Sequence, residues 1–154
     1  MKATRRSARE RAIQMLVAAD LNPPEDVRLA MDAFWEMAAV PDEENDLEAI
    51  SGKLRLFAEE RVAGVMEKRD AIDEKLEAIL DNWDIYRLGT VERAVLRMGI
   101  WEIDSGEIPV PVVINEAIDL VNWFSSPKSR TIVNGVLDRY AKNRAKAAAG
   151  AANG

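Results

Sequence analysis

The chain has 154 residues and contains neither cysteine nor histidine. The absence of cysteine rules out disulfide bonds, and nothing in the composition argues for an oxidising compartment. The absence of both residues removes the usual protein ligands of zinc, haem iron and iron–sulfur clusters. It also removes the Ser-His and Cys-His pairs of nucleophilic catalysis. We therefore expect no metal site and no cofactor.

Enzyme signatures are missing as well. The sequence has no Walker loop, no glycine-rich dinucleotide turn and no nucleophile elbow. Carboxylates are plentiful, but carboxylate-bridged metal bundles use a Glu-x-x-His motif that this chain lacks. A carboxylate pair for glycoside hydrolysis stays open, although no pair stands out from the charged helix faces. The sequence thus predicts a protein that is not an enzyme.

Long apolar runs are also absent. No stretch approaches the roughly 18 apolar residues of a membrane-spanning helix. The basic first residues are not followed by the apolar segment of a signal peptide, because Glu10, Arg11 and Gln14 interrupt it. We therefore expect a soluble cytoplasmic protein without a membrane partner, long enough to bury a core of its own.

Negative charge exceeds positive charge in the whole chain, but positive charge is concentrated near the two ends. The net charge is -6, yet residues 1–11 carry +4 and residues 127–146 carry +5, which leaves -15 for residues 12–126. A uniformly acidic protein repels nucleic acid, whereas basic ends on an acidic body provide a local attractive patch. The alternative is that short basic termini only keep the chain in solution.

Apolar residues recur at helical spacing along nearly the whole chain, which predicts an all-α protein. The second half begins near residues 88–90, and the Ala/Gly-rich residues 145–154 are expected to form a disordered tail. Proline, glycine and polar clusters separate the helices at residues 22–26, 40–46, 105–111 and 126–127.

Two segments also carry signals for strands. Asn134-Gly135 is typical of a hairpin turn, and residues 110–114 are rich in valine and isoleucine. We expect helix at both, because the flanking periodicity is helical and no partner strand is evident. A glycine inside a helix costs about 1 kcal/mol against alanine. Gly135 is therefore expected to allow close approach of another helix, and Asn134 to bridge a backbone segment or to contact a ligand.

Arg97 and Glu116 lie within otherwise apolar helical stretches. A charge at the edge of a core needs a partner. We expect these two side chains to form ion pairs within the second half of the chain or to cap neighbouring helices.

The first helix carries a compact group of arginines. Successive helical residues turn by about 100°, so Arg5, Arg6 and Arg9 fall within a narrow arc at the N-terminal end. Either Thr4 or Ser7 is suited to cap this helix. Free backbone N–H groups and the positive end of the helix dipole add to the positive electrostatic potential of these arginines. Arginine also suits phosphate because its guanidinium binds in a bidentate manner.

Four segments of the chain are informative together: RRSARERAIQML (5–16), VERAVLRMGIWE (91–102), IPVPVVINEAIDL (108–120) and IVNGVLD (132–138). In this order, they resemble the NusB family of transcription antitermination proteins. The resemblance covers about residues 4–140, and the last three segments are its most specific part, while residues 22–82 match mainly as a helical pattern.

The resemblance implies a single NusB-like domain over residues 1–144, with about seven helices. These would form two packed helical subdomains, about 1–82 and 83–144, followed by the tail 145–154. It also implies a factor without enzymatic activity that binds single-stranded boxA RNA together with NusE, a small-subunit ribosomal protein. Within a complex of other Nus factors and RNA polymerase, such a factor supports transcription of ribosomal RNA.

The resemblance further implies which residues carry these contacts. In the family the arginine-rich first helix and the loop before the last helix approach RNA. The corresponding RNA-binding residues here are Lys2, Arg5, Arg6, Arg9, Lys128 and Arg130. The partner-binding residues are Glu92, at the NusE surface, and Val17, which stands where the family often has an aromatic residue. Lys128 also departs from the family, which often has an acidic residue there, and makes the RNA side more basic.

Two other functions are compatible with these features. One is a self-associating adaptor for proteins, in which a homodimer forms through the same surfaces and RNA binding is secondary. The other is an RNA methyltransferase, because some of these enzymes carry a NusB-like domain. We discount the methyltransferase, since the chain has no glycine-rich turn after a strand and no room for a Rossmann unit.

Overall fold

A computed structural model describes residues 4–38, 52–81, 84–124 and 126–153 of the chain. Within these residues, the regular structure consists of seven α-helices and one 3₁₀ turn, with no strand. The prediction of an all-α fold with about seven helices is confirmed. Of the predicted site residues, only Lys2 lies outside the described ranges.

The helices form two compact units, Met1–Glu67 and Lys68–Gly154. The first unit contains α1 (Arg5–Leu21), α2 (Val27–Ala38) and α3 (Gly52–Glu67). The second contains α4 (Arg69–Ile79), a 3₁₀ turn (Ile85–Arg87), α5 (Thr90–Ser105), α6 (Val110–Phe124) and α7 (Pro127–Asn153). The resemblance placed α4 in the N-terminal subdomain, whereas the structure groups it with the second unit because it packs on α5 and α7.

In the first unit, α1 packs against α3, and α2 also contacts α3. The face of α1 that is buried carries small and branched apolar side chains, which repeat at helical spacing. Buried apolar residues of this unit are Ala8, Ala12, Ile13, Met15, Leu16, Ala19, Met31, Trp35, Ala58, Val62 and Val65.

In the second unit, α5 is the central helix. It contacts α4, α6 and α7, and each residue from 93 to 100 is buried. Two of these residues are arginines, and both have partners. Arg93 donates to the Leu88 carbonyl oxygen at 2.9 Å. Arg97 binds Asp73 of α4 in a bidentate manner, at 2.7 Å from Nε and 3.0 Å from Nη2. The prediction that Arg97 has a charged partner is confirmed, but Asp73 lies before residue 88 and therefore outside the predicted second half.

The glycine that brings two helices together is Gly99 and not Gly135. A Cβ at Gly99 would lie 2.9 Å from both terminal methyl groups of Leu137 on α7, closer than packed side chains allow. A Cβ at Gly135 would meet no atom within 4 Å. The expectation for Gly135 was wrong, because a glycine within a helix does not itself reveal which side faces a neighbour.

Helix ends follow the sequence signals closely. Gly106 ends α5 with a φ of 70°, a left-handed conformation that glycine adopts without strain. Residues 110–114 and 134–135 are both helical, which excludes the two strand alternatives. In contrast to the expected disordered tail, α7 continues to Asn153. Alanine dominates this stretch and has the highest helix propensity of all residues.

Candidate nucleic-acid interface

The first helix begins with a capping box that places the arginines in its first two turns. Thr4 Oγ1 accepts a hydrogen bond from the Ser7 N–H at 3.3 Å, and the Thr4 N–H donates to Ser7 Oγ at 3.3 Å. Thr4 is therefore the N-cap, one of the two positions that the sequence allowed. The first turn holds no acidic residue, so the arginine charges add to the positive end of the helix dipole.

Three guanidinium groups gather around the ring of Phe57 on α3. The guanidinium carbon of Arg61 lies 3.4 Å from the ring centroid, that of Arg9 lies 5.1 Å away and that of Arg5 lies 5.3 Å away. Arg61 also donates from Nη1 to the Phe57 carbonyl oxygen at 3.1 Å. Because the face of an aromatic ring attracts cations, Phe57 stabilises a group of side chains whose like charges repel one another.

The arginines of α1 differ in their exposure. Arg5 and Arg6 are exposed, whereas Arg9 is only 3% exposed. We expected Arg5, Arg6 and Arg9 to form one patch. This expectation was wrong for Arg9, which is buried, and only Arg5 and Arg6 lie at the surface. The spacing of residues along a helix fixes the angle between their side chains, but it does not show which face of the helix is covered by a neighbouring helix. Packing in the first unit buries Arg9 together with the adjacent Ala8.

The other predicted RNA contacts lie at the start of α7. Lys128 and Arg130 are both exposed in the first turn of this helix. Ser129 between them is 5% exposed, and its hydroxyl donates a hydrogen bond to Glu92 of α5. The first turn therefore keeps its hydroxyl buried and its two cations at the surface.

The two residues predicted to contact a protein partner, Glu92 and Val17, are both half-buried. Glu92 lies in the first turn of α5, where the helix dipole favours a carboxylate. Its carboxylate lies so close to Gly89 that a Cβ at that position would collide with it. Gly89 is the N-cap of α5, and a side chain at this position would require the Glu92 carboxylate to shift.

A charged cluster joins α2 to α3. Glu59 on α3 is 8% exposed and binds both Arg28 of α2 and Arg55 of its own helix, the latter at 2.8 Å. The hydrogen bond from Arg28, with that from Arg55, lowers the pKa of Glu59 below its ordinary value of 4.5, against the opposing effect of burial. The cluster fixes α2 on the helix that carries Phe57.

Sequence reasoning missed Phe57 and Arg61. Both lie in the stretch that resembles the family only as a helical pattern. A possible signal was their spacing, because residues four apart share a helix face. Their contacts with Arg5 and Arg9 depend on the packing of α1 on α3, which spacing within one helix does not reveal.

The described ranges give no indication of a metal centre or a membrane segment. Among their side chains, no group of three or more carboxylates is arranged to hold a metal ion. None of their helices combines the length and the apolarity needed to cross a bilayer.

These features define a class of protein, an all-α protein with exposed basic side chains at the starts of α1 and α7. The two helix starts are candidate surfaces for nucleic acid. The particular family follows from comparison with known proteins. Residues 6–142 match the NusB family, and the chain belongs to that family.

Relatives and solved structures resemble the chain over most of its length. Transcription antitermination protein NusB of a Nitratiruptor species is 38% identical over 140 residues, covering 91% of this chain and 93% of that protein. The protein of the same name from Myxococcus xanthus is 38% identical over 138 residues, covering 89% of this chain and 94% of that protein.

Two solved structures share the fold. T. maritima NusB superposes with a TM-score of 0.75 at 30% identity, covering 92% of this chain and 93% of that chain. A crystal structure of the antitermination factors NusB and NusE in complex with dsRNA gives a TM-score of 0.74 at 26% identity, covering 90% of this chain and 96% of that chain.

Proposed function

We propose that this chain is a transcription antitermination factor that binds boxA RNA together with NusE and has no enzymatic activity of its own. The NusB family match and the names of its relatives support the antitermination role. A similar protein has been crystallised with NusE and dsRNA, which supports NusE and RNA in general as partners, while boxA and single-stranded RNA are part of this proposal. The observation that carries the RNA proposal is the start of α1, where exposed Arg5 and Arg6 follow a capped helix end without acidic neighbours in its first turn.

Single-stranded RNA is the expected ligand. Phosphate contacts supply attraction, and contacts to unstacked bases supply sequence preference. Arg5, Arg6, Lys128 and Arg130 are exposed cations suited to phosphate. Arg9 is buried, but its charge adds to the positive electrostatic potential around Arg5 and Arg6. Lys2 extends the same basic segment toward the terminus.

Glu92 of the second unit and Val17 of the first unit are each proposed as NusE contacts. Both are half-buried, so a partner would reach only part of each side chain. In this proposal the chain and NusE act in the cytoplasm with other Nus factors and RNA polymerase to support ribosomal RNA transcription.

A binding experiment tests the proposal. Labelled boxA RNA and a scrambled RNA of equal length are titrated with this protein, with NusE and with the mixture, each at two salt concentrations. We expect the mixture to bind boxA RNA more tightly than either protein alone and more tightly than it binds scrambled RNA. Equal affinity for the two RNAs, or no effect of NusE, would overturn the proposal.

Self-association is the second candidate function, and apolar features of the first unit favour it. A cavity of about 310 Å³ between α1, α2 and α3 is lined mainly by apolar side chains. Large apolar side chains exposed in the same unit are Leu21, Leu29, Met37 and Leu56. Exposed apolar groups can mark protein contacts. Light scattering over a concentration series, with and without NusE and RNA, distinguishes a homodimer from a monomer that binds these partners.

A further inference from the structure

Phe57 lies in the middle of the arginine group without belonging to any segment of specific family resemblance. We infer that Phe57 is a positioning residue for RNA binding, whose ring orients the guanidinium of Arg5, while Arg9 and Arg61 fix the ring from beneath. This inference rests on the proposed function and extends it to α3. Phe57 acts through Arg5 and makes no RNA contact of its own.

The arrangement arises from two pairs of residues spaced four apart. Arg5 and Arg9 lie on one face of α1, and Phe57 and Arg61 lie on one face of α3, because residues four apart are neighbours on a helix surface. The two helices pack against each other. Both faces meet at the ring, whose centroid lies 3.4 to 5.3 Å from the three guanidinium carbons.

The three arginines have different roles because they differ in exposure. Arg61 is 2% exposed and Arg9 is 3% exposed, so neither can reach RNA without unpacking the unit. Arg5 is exposed although it also contacts the ring. Arg5 is therefore the member of this group that can contact a phosphate while Phe57 holds it.

Holding Arg5 matters because of charge and entropy. Arg9 and Arg61 repel Arg5, and charges that are buried are only weakly screened by salt. The ring offsets this repulsion and restricts a long side chain that otherwise loses much rotamer freedom on binding. A restricted side chain binds with a smaller entropic cost. Removal of the ring should therefore weaken RNA binding although the net charge is unchanged.

Four variants test the inference in titrations of boxA RNA with NusE present: Phe57→Leu, Phe57→Tyr, Arg5→Ala and the double variant Arg5→Ala/Phe57→Leu. Phe57→Leu is expected to weaken RNA binding about two- to fivefold, the range set by the loss of a cation–π contact to an exposed side chain. Phe57→Tyr keeps a ring and should stay within about twofold of the unmodified protein. With Arg5 already replaced, Phe57→Leu should have little further effect, because the two residues act as one unit.

Each outcome separates the inference from the proposed function. Unchanged RNA affinity of Phe57→Leu would overturn the inference alone, as would a loss that persists in full in the Arg5→Ala background. Failure of the unmodified protein to bind boxA RNA with NusE would overturn the proposed function as well. Circular dichroism and NusE binding check the fold of each variant. If Phe57→Leu is less helical, Phe57→Met takes its place, because it keeps apolar volume without a ring.

Discussion

The Ser129 hydroxyl donates a hydrogen bond to the carboxylate of Glu92, which joins the first turn of α7 to the first turn of α5. Ser129 stands between Lys128 and Arg130, which we propose as RNA contacts, and Glu92 is a proposed NusE contact. This hydrogen bond therefore connects the proposed RNA surface of the second unit with its proposed protein surface. Removal of this hydrogen bond should therefore destabilise the first turns of both α5 and α7.

We predict that Ser129→Ala lowers the free energy of unfolding by about 1.5–3 kcal/mol, the usual range for a hydrogen bond to a charged group. Urea denaturation measures the change. Glu92→Ala removes the same bond and also the proposed NusE contact. It should therefore weaken NusE binding more than Ser129→Ala does, and equal NusE affinities of the two variants would contradict a direct contact at Glu92.

Gly99→Ala and Gly135→Ala form a matched pair within α-helices. At Gly99 the new methyl group collides with Leu137, so we expect a loss of about 1–3 kcal/mol of stability from overpacking. At Gly135 the space is open, and alanine should stabilise the helix by up to about 1 kcal/mol. Thermal unfolding of both variants checks the prediction. Leu137→Val should partly rescue Gly99→Ala, whereas in the Gly135→Ala background it should only destabilise, because Leu137 is fully buried and the change removes core volume.

Asp73→Asn breaks the ion pair with Arg97, whose side chain is 5% exposed. Removal of one member of a buried ion pair costs about 3–5 kcal/mol of stability. The control is Asp138→Asn, which removes the exposed pair with Lys142 and should cost about 1 kcal/mol or less. Denaturant unfolding measures both losses. Similar losses in the two variants would contradict the prediction that the Asp73–Arg97 pair stabilises the packing of α4 on α5.

Glu59 makes stability depend on pH in the acidic range. Its pKa in the folded protein lies below its ordinary value of 4.5, chiefly because Arg28 donates a hydrogen bond to it. A lowered folded pKa contributes stability above the unfolded pKa, and this contribution is lost as pH falls through the folded pKa. We therefore expect the stability difference between the unmodified protein and Glu59→Gln to shrink below about pH 4.5. Glu60→Gln, on the exposed side of α3, is the matched control. A difference that stays constant down to about pH 3 would contradict the prediction.

The sequence predicted the helical class, the helix break at residues 105–111 and the need of Arg97 for a partner, because each has a local cause. Periodicity marks an amphipathic helix, glycine fits a left-handed cap, and a charge within an apolar stretch needs a partner. The partner itself, Asp73, was not predictable, since it lies on another helix.

The arginine site was predicted only in part for the same reason. Spacing placed Arg5, Arg6 and Arg9 close together, and the helix cap fixed where they start. Which of them is buried depends on how α1 packs on α3, and so does the ring of Phe57. Assignment to RNA came from the family resemblance, because charge alone is equally compatible with a solubilising terminus.

The salt dependence of boxA binding tests the central claim, that exposed arginines at the start of α1 contact RNA. Arg5→Ala/Arg6→Ala is compared, with NusE present, to Arg139→Ala/Lys142→Ala, which removes two exposed positive charges from α7. We predict that the first variant weakens binding about tenfold or more and lowers the slope of log K against log salt by about 1–2, while the second changes neither. Equal affinity and equal slope for the two variants would contradict the account.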